Sequence, residues 1–225
     1  MTPKEHNASV TAKNGGIDVF SVLRERIASH ELPPGSRLRE QDLASELGVS
    51  RARIREAFGA LEQRGLIERI PNRGAVVVRI DPMQMYDLYD VRGVLEAYVA
   101  RLAAERAPDD AWDALSTRFG PDMEVALKSG DFDRYLEGLE ALHRAMIEHA
   151  GNVILADMLD LIYDKTRVIL RRVIILPGRA ELGLKLHREL LQALARRDAD
   201  GAERAMRDIL TSARAFLEKY QSYVI

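Results

Sequence analysis

Apolar positions in the first third of the chain recur at helical spacing in three short runs. In "IDVFSVLRERIASHEL", Ile17, Phe20, Leu23 and Ile27 follow that spacing together with Arg24, and "PPG" at 33–35 stops the run. "LREQDLASELG" turns Leu43, Ala44 and Leu47 inward and ends at Gly48. The third run opens at Ser50, a suitable N-cap, and continues to about Arg64, where Gly65 closes it. Next comes "LIERIPNRGAVVVRI", two β-branched runs around a Pro-Asn-Arg-Gly turn, which predicts a hairpin. Helix, helix, turn, helix, hairpin is the order of a winged helix-turn-helix. Beyond Asp81-Pro82, a hinge and helix start, every segment has helical periodicity. Helices are predicted over about 82–106, 111–128, 132–150, 153–176, 179–196 and 199–221, with Gly120-Pro121 breaking the second, and no strand pattern follows Val78. The expectation is a mainly α chain. It has a polar, flexible N-terminal tail over 1–16, a winged helix-turn-helix domain over 17–80 and a C-terminal antiparallel α-helical bundle over 81–225.

The third run carries two faces. At about 100° per residue, Arg51 and Arg55 lie within about 40° of each other, while Ile54, Ala57, Phe58 and Leu61 gather on a separate arc and Arg53 falls beyond its far edge. A basic face therefore stands apart from a core face.

Composition sharpens this division. The chain has 225 residues, 47% hydrophobic and 30% charged, a globular balance with room for two domains. Its net charge of −2 conceals a balance of +3 over residues 1–80 and −5 over the rest, and residues 50–79 alone hold seven arginines against three glutamates. That basic patch suits phosphates, and the acidic remainder does not. The absence of cysteine excludes disulfides and thiolate metal sites, leaving five histidines and the carboxylates as metal donors. No apolar run approaches the roughly 20 residues that cross a bilayer, and the first residues lack the apolar middle of a signal peptide. A cytoplasmic protein with no membrane partner is expected.

The stretch "LPPGSRLREQDLASELGVSRARIREAFGALEQRGLIERIPNRGAVV" resembles the DNA-binding domain of GntR-type bacterial transcription regulators. The helical remainder, with "VRGVLEAYVARLAA", "LHRAMIEHAGN", "LHRELLQAL" and "DGAERAMRDIL", resembles the effector domain of the FadR branch, the FCD type. The resemblance implies that the third helix enters the major groove of double-stranded operator DNA by its first residues, here Ser50, Arg51, Ala52, Arg53 and Arg55. Arg51 and Arg55 are the candidate base readers, since arginine pairs bidentately with guanine O6 and N7. Ser50 is placed for a phosphate, and Ala52 keeps the helix close to DNA. Arg73 and Gly74 at the hairpin tip are the candidate wing contacts, and Arg39 joins the basic set. Gln41 and Ala52 depart from residues common in the family, which implies a different operator. Solvated helix charge is the competing reading, above all for Arg53, Arg39 and Arg69.

The same resemblance implies an effector pocket among the helices. Many relatives hold a metal there by an Asp-x-x-x-His pair and two later histidines. This chain supplies His143 and His187 but has Leu139 and Ile209 at the other two positions. Three readings stand: a weakly bound divalent metal such as zinc or nickel on His143 and His187, completed by solvent or by a swing of Glu140 or Asp208; a metal-free pair donating hydrogen bonds to an anionic effector; or histidines with ordinary partners. Glu140 and Asp208 sit one residue, about 100°, from the lost ligands. Arg92 matches a position that points into the pocket in relatives and could clamp a carboxylate, or it could pair with Glu96 at i, i+4. Tyr163, Arg167 and Arg171, four apart, either line the pocket or form an exposed stripe.

The expected function is a homodimeric, ligand-responsive regulator of an inverted-repeat operator, modulated by a small organic acid, and no enzyme. The alternatives are a helical metal-binding protein or metalloenzyme, for which "EALH" at 140–143 would need a second Glu-x-x-His that the chain lacks, and a constitutive architectural DNA-binding protein.

Overall fold

Six of the described helices begin at a residue whose side chain caps them: Asp18, Ser50, Asp81, Asp131, Asn152 and Asp198. The computed structural model of the protein describes residues 17–79 and 81–224, so the tail expected over 1–16 lies outside the described residues. The chain divides into two units, Met1–Ile80 and Asp81–Ile225.

In the first unit, α1 (Val19–Ala28), α2 (Glu40–Leu47) and α3 (Arg51–Gln63) pack through Leu23, Ile27, Leu43, Ile54, Phe58 and Leu61. Asp18 caps α1, its carboxylate accepting from the Ser21 backbone N–H, and Ser50 caps α3 by accepting from the Arg53 N–H. Gly48 closes α2 in the left-handed region at φ 63°, so the chain reverses into α3 without a Cβ in the way. The expected hairpin is present as β2 (Ile67–Ile70) and β3 (Gly74–Val77), in register from Ile67 opposite Val77 to Ile70 opposite Gly74. A third strand, β1 (Arg37–Leu38), pairs antiparallel with β3, giving the sheet order β1-β3-β2. Two residues carry no readable alternation, so sequence periodicity missed β1; its pairing is a tertiary event. This unit is a winged helix-turn-helix.

The second unit is an all-helical bundle: α4 (Pro82–Arg106), α5 (Asp113–Arg118), α6 (Pro121–Lys128), α7 (Phe132–Ala150), α8 (Val153–Ile174), α9 (Arg179–Ala195), α10 (Ala199–Lys219) and α11 (Gln221–Val224). The break at Gly120-Pro121 divides 113–128 into α5 and α6, and Arg188 of α9 braces it, donating to the Phe119 carbonyl at 2.6 Å and the Gly120 carbonyl at 2.9 Å. Asp81 caps α4 through the Met83 N–H with Pro82 in the first turn, and Asn152 caps α8 through the Leu155 N–H at 3.1 Å. α4 runs through the middle, packed on α7, α8, α9 and α10. No described helix is long and apolar enough to cross a membrane.

Candidate functional site

Two places in the chain carry chemistry. The first is the exposed face of α3. Arg51 and Arg55 project there with their side chains 59% and 58% exposed, and both face Glu40 at the start of α2. Arg55 donates to the two Glu40 carboxylate oxygens at 3.2 and 2.9 Å, and Arg51 lies 3.6 Å away. These guanidiniums hold the Glu40 carboxyl below its ordinary range, the Arg55 hydrogen bond contributing most. Sequence reasoning missed Glu40, although its charge at the first turn of α2 is visible. Ala52 is exposed beside this face. Arg53 is not on it: its Nη2 donates to the Ile17 carbonyl at 2.5 Å, tying α3 to the chain ahead of α1. The Ser50 hydroxyl is engaged as the α3 cap. Arg39 is exposed, 3.8 Å from Asp42. Arg73 and Gly74 sit at the exposed hairpin tip, where Asn72 and Gly74 adopt φ of 64° and 79°.

The second place is a cavity of about 60 Å³ inside the helical unit, several times the minimum for one water. It brings together Arg92, Glu96, Tyr135, His143, Tyr163, Arg179 and His187 within an apolar wall. For Arg92 both readings hold at once. It lines the cavity, and its Nε donates to Glu96 Oε1 at 2.5 Å, with both residues buried. The guanidinium also lies over the Tyr89 and Tyr163 rings at 5.0 and 4.9 Å. Burial disfavours its charge, but Glu96 and the two tyrosines outweigh that and hold it protonated.

His143 stacks on Tyr163 with ring centroids 3.7 Å apart, and its Nδ1 lies 4.0 Å from Glu96, beyond hydrogen-bond reach, with no partner. His187 Nδ1 sits 2.6 Å from the Gly183 carbonyl and 3.1 Å from the Tyr135 hydroxyl. A carbonyl only accepts, so Nδ1 carries the proton and Nε2 is left as an acceptor. Burial pushes both histidines down to about 4, opposed by Glu96 for His143 and by the Gly183 hydrogen bond for His187. Both rings are neutral at pH 7. Because each would bind a proton near 6.5 when unfolded, stability is full above that pH. It is lost as pH falls towards 4, at up to about 1.4 kcal/mol per pH unit for each ring. Urea unfolding between pH 7 and 4 is expected to show this slope, and to show roughly half of it in His187→Gln; an unchanged slope in that variant would assign the titration elsewhere.

Two expected lining residues are corrected. Arg171 pairs with Asp133 at the surface, and Arg167 is directed to Glu140 at 3.9 Å; neither lines the cavity. Steps of four advance about 40° around a helix, which carries 167 and 171 progressively off the Tyr163 face. A protein-held metal does not fit. Leu139 and Ile209 line the cavity themselves, Glu140 pairs with Arg144 at 3.3 Å, and Asp208 is exposed. Among the described residues no group of three His, Asp or Glu could hold an ion.

Sequence reasoning missed Arg179 and Tyr135. One signal was available: Arg179, Gly183 and His187 form an i, i+4, i+8 stripe, and an arginine opening a helix sits at the end of the macrodipole that disfavours cations.

Comparison with known proteins agrees with this architecture. The sequence model described as bacterial regulatory proteins, gntR family, matches residues 18–77, and that of the FCD domain matches residues 87–212. The chain is 28% identical to the HTH-type transcriptional repressor RspR of Escherichia coli strain K12, over 84% of this chain and 82% of that one. It is 29% identical to the gluconate operon transcriptional repressor of Bacillus licheniformis, over 74% and 66%. The E. coli McbR/YncC structure superposes with a TM-score of 0.78 at 23% identity, covering 91% of this chain and 96% of that one. A regulator from Rhodococcus sp. RHA1 gives 0.73, also at 23% identity, over 90% and 97%. These structures share the fold. The sequence relatives are transcriptional regulators, not enzymes.

Proposed function

Because the chain belongs to the gntR family of bacterial regulatory proteins, in its FCD-domain form, we propose that it is a ligand-responsive transcription factor. It acts in the cytoplasm as a homodimer on an inverted-repeat operator, with DNA affinity modulated by a small organic acid in the helical cavity. One observation carries this reading: the chain combines an exposed, paired-arginine face on a recognition helix with a buried polar cluster lining a cavity in an otherwise apolar bundle. Arg51 and Arg55 are the base readers, Ala52 lets the helix approach, and Arg53, Ser50, Arg39, Arg73 and Gly74 flank them at the backbone of the duplex. In the cavity Arg92, His143, His187 and Tyr163 surround the effector.

Dimerisation follows because a single recognition helix reads too few base pairs for genomic specificity. Val91, Val94 and Tyr98, three and four residues apart on α4 and 46–57% exposed, supply an apolar stripe that a twofold partner can bury. Modulation requires the acid to bind one conformational state more tightly than another; equal affinity would change nothing.

The test begins by selecting binding sequences from a random duplex pool with the purified protein. Inverted repeats with a conserved guanine in each half-site are expected, followed by an acid-dependent change in affinity for the selected duplex. Selected sequences without twofold symmetry would remove the dimer from the reading, and an acid that binds without altering DNA affinity would remove the regulation.

A further inference from the structure

The cavity holds a cation that no acidic side chain among the described residues neutralises. Arg179, the first residue of α9, is 7% exposed, its Nε has no hydrogen-bond partner, and no ion pair to it occurs among the described residues. The Phe216 ring 5.8 Å from its guanidinium offers only partial compensation. A buried charge without a counter-ion is costly, and burial accordingly pulls the Arg179 pKa down. The other charges of the cavity cancel: Arg92 is paired with Glu96, and both histidines are neutral at pH 7. One positive charge remains.

Beside it stands a hydroxyl with a free proton. Since His187 Nδ1–H is committed to the Gly183 carbonyl, Tyr135 receives at most a share of that donor and keeps its own O–H to give elsewhere. Gly183 sets the two groups together. A Cβ at that position would lie 2.6 Å from the Tyr135 hydroxyl oxygen and 2.8 Å from Arg179 Nη1, so both converge on the space that the absent side chain leaves. Around them the wall is apolar, with Leu139, Leu142, Met146, Ile209 and Leu210.

We infer that Arg179 and the Tyr135 hydroxyl, over Gly183, form the seat for the single carboxylate of a monoanionic acid with an apolar body. This deepens the effector reading above and rests on it. A second carboxylate would have to take Arg92 from Glu96, so dicarboxylates are excluded by the same charge count, and a neutral amide would leave Arg179 uncompensated. Arg92 is on this view a positioning residue, holding Glu96 and the Tyr163 ring.

Calorimetry and thermal shift on the full-length protein test this with butyrate, hexanoate and benzoate against succinate, glutarate and benzamide. The monocarboxylates are expected to bind at least tenfold tighter than size-matched dicarboxylates and amides. Arg179→Gln should abolish most of that preference, and Tyr135→Phe should weaken monocarboxylate binding roughly three- to tenfold. In addition, ligand-free Arg179→Gln should melt no lower than the wild type, because the change removes an uncompensated buried charge; a purely structural arginine would give a lower melting temperature. Arg179→Lys is the second variant, expected to retain partial affinity. Tightest binding by dicarboxylates, or monocarboxylate binding unaffected by Arg179→Gln, overturns the seat while leaving an acid-binding cavity. Failure of every acid to bind overturns both.

Discussion

Replacing Arg92 with alanine is expected to destabilise the helical unit by about 3–5 kcal/mol, the cost of breaking a buried ion pair from one side. The variant would leave the Glu96 carboxylate, itself 3% exposed, without the guanidinium 2.5 Å away. The nearest substitute, His143, stands 4.0 Å off and is neutral at pH 7. The Tyr89 and Tyr163 rings lose their cation as well. Urea denaturation monitored by circular dichroism reads the loss. The double variant Arg92→Met with Glu96→Leu should recover most of it, since an apolar pair of similar volume often matches a buried ion pair. A single Arg92→Ala protein as stable as the wild type would show that Glu96 reaches water in solution. The same energetics make alanine a poor probe of effector binding at this position, because any lost response would be mixed with lost stability.

The second large effect concerns DNA. Arg55→Ala is expected to cost about 1–3 kcal/mol of specific binding, the range for one bidentate base contact, while binding to random duplex changes much less. Arg51→Ala should act in the same direction. The motivation is their shared exposed face and their common partner Glu40, to which Arg55 donates two hydrogen bonds and which Arg51 approaches to 3.6 Å. An arginine already ordered loses less side-chain freedom on binding. Glu40→Gln removes this pairing together with one negative charge. It should therefore raise affinity for random duplex, steepen the salt dependence and lower the ratio of specific to non-specific binding. Fluorescence anisotropy on selected and scrambled duplexes at several salt concentrations measures all three variants. Equal weakening of Arg55→Ala on both duplexes would reassign that residue to a phosphate.

Much of the fold could be read because the signals that set helix ends are local. Asp81-Pro82 starts α4, Gly151-Asn152 ends α7 and caps α8, and Gly120-Pro121 divides α5 from α6, each by a backbone or capping preference acting within a few residues. The two faces of α3 were equally legible, since helical period alone separates Arg51 and Arg55 from Ile54, Phe58 and Leu61. The cavity was legible in part. His143, His187 and Arg92, at positions drawn from the resemblance, and Tyr163, drawn from its spacing, line one cavity, whereas Arg167 and Arg171 on the same helix as Tyr163 turn outward to acidic partners.

By itself, then, the sequence determined the helices, the hairpin and the basic face, all properties of single residues or of spacing along one element, while the lack of ligands at 139 and 209 is what the family resemblance implies. Only the tertiary structure decided that β1 joins the sheet, that Glu40 pairs with both Arg51 and Arg55, that Arg92 is at once paired and cavity-lining, and that Arg179 is buried without a counter-ion among the described residues. Those outcomes depend on desolvation and on which side chains of other elements arrive within a few ångströms, and neither quantity is encoded in the spacing of residues along one helix.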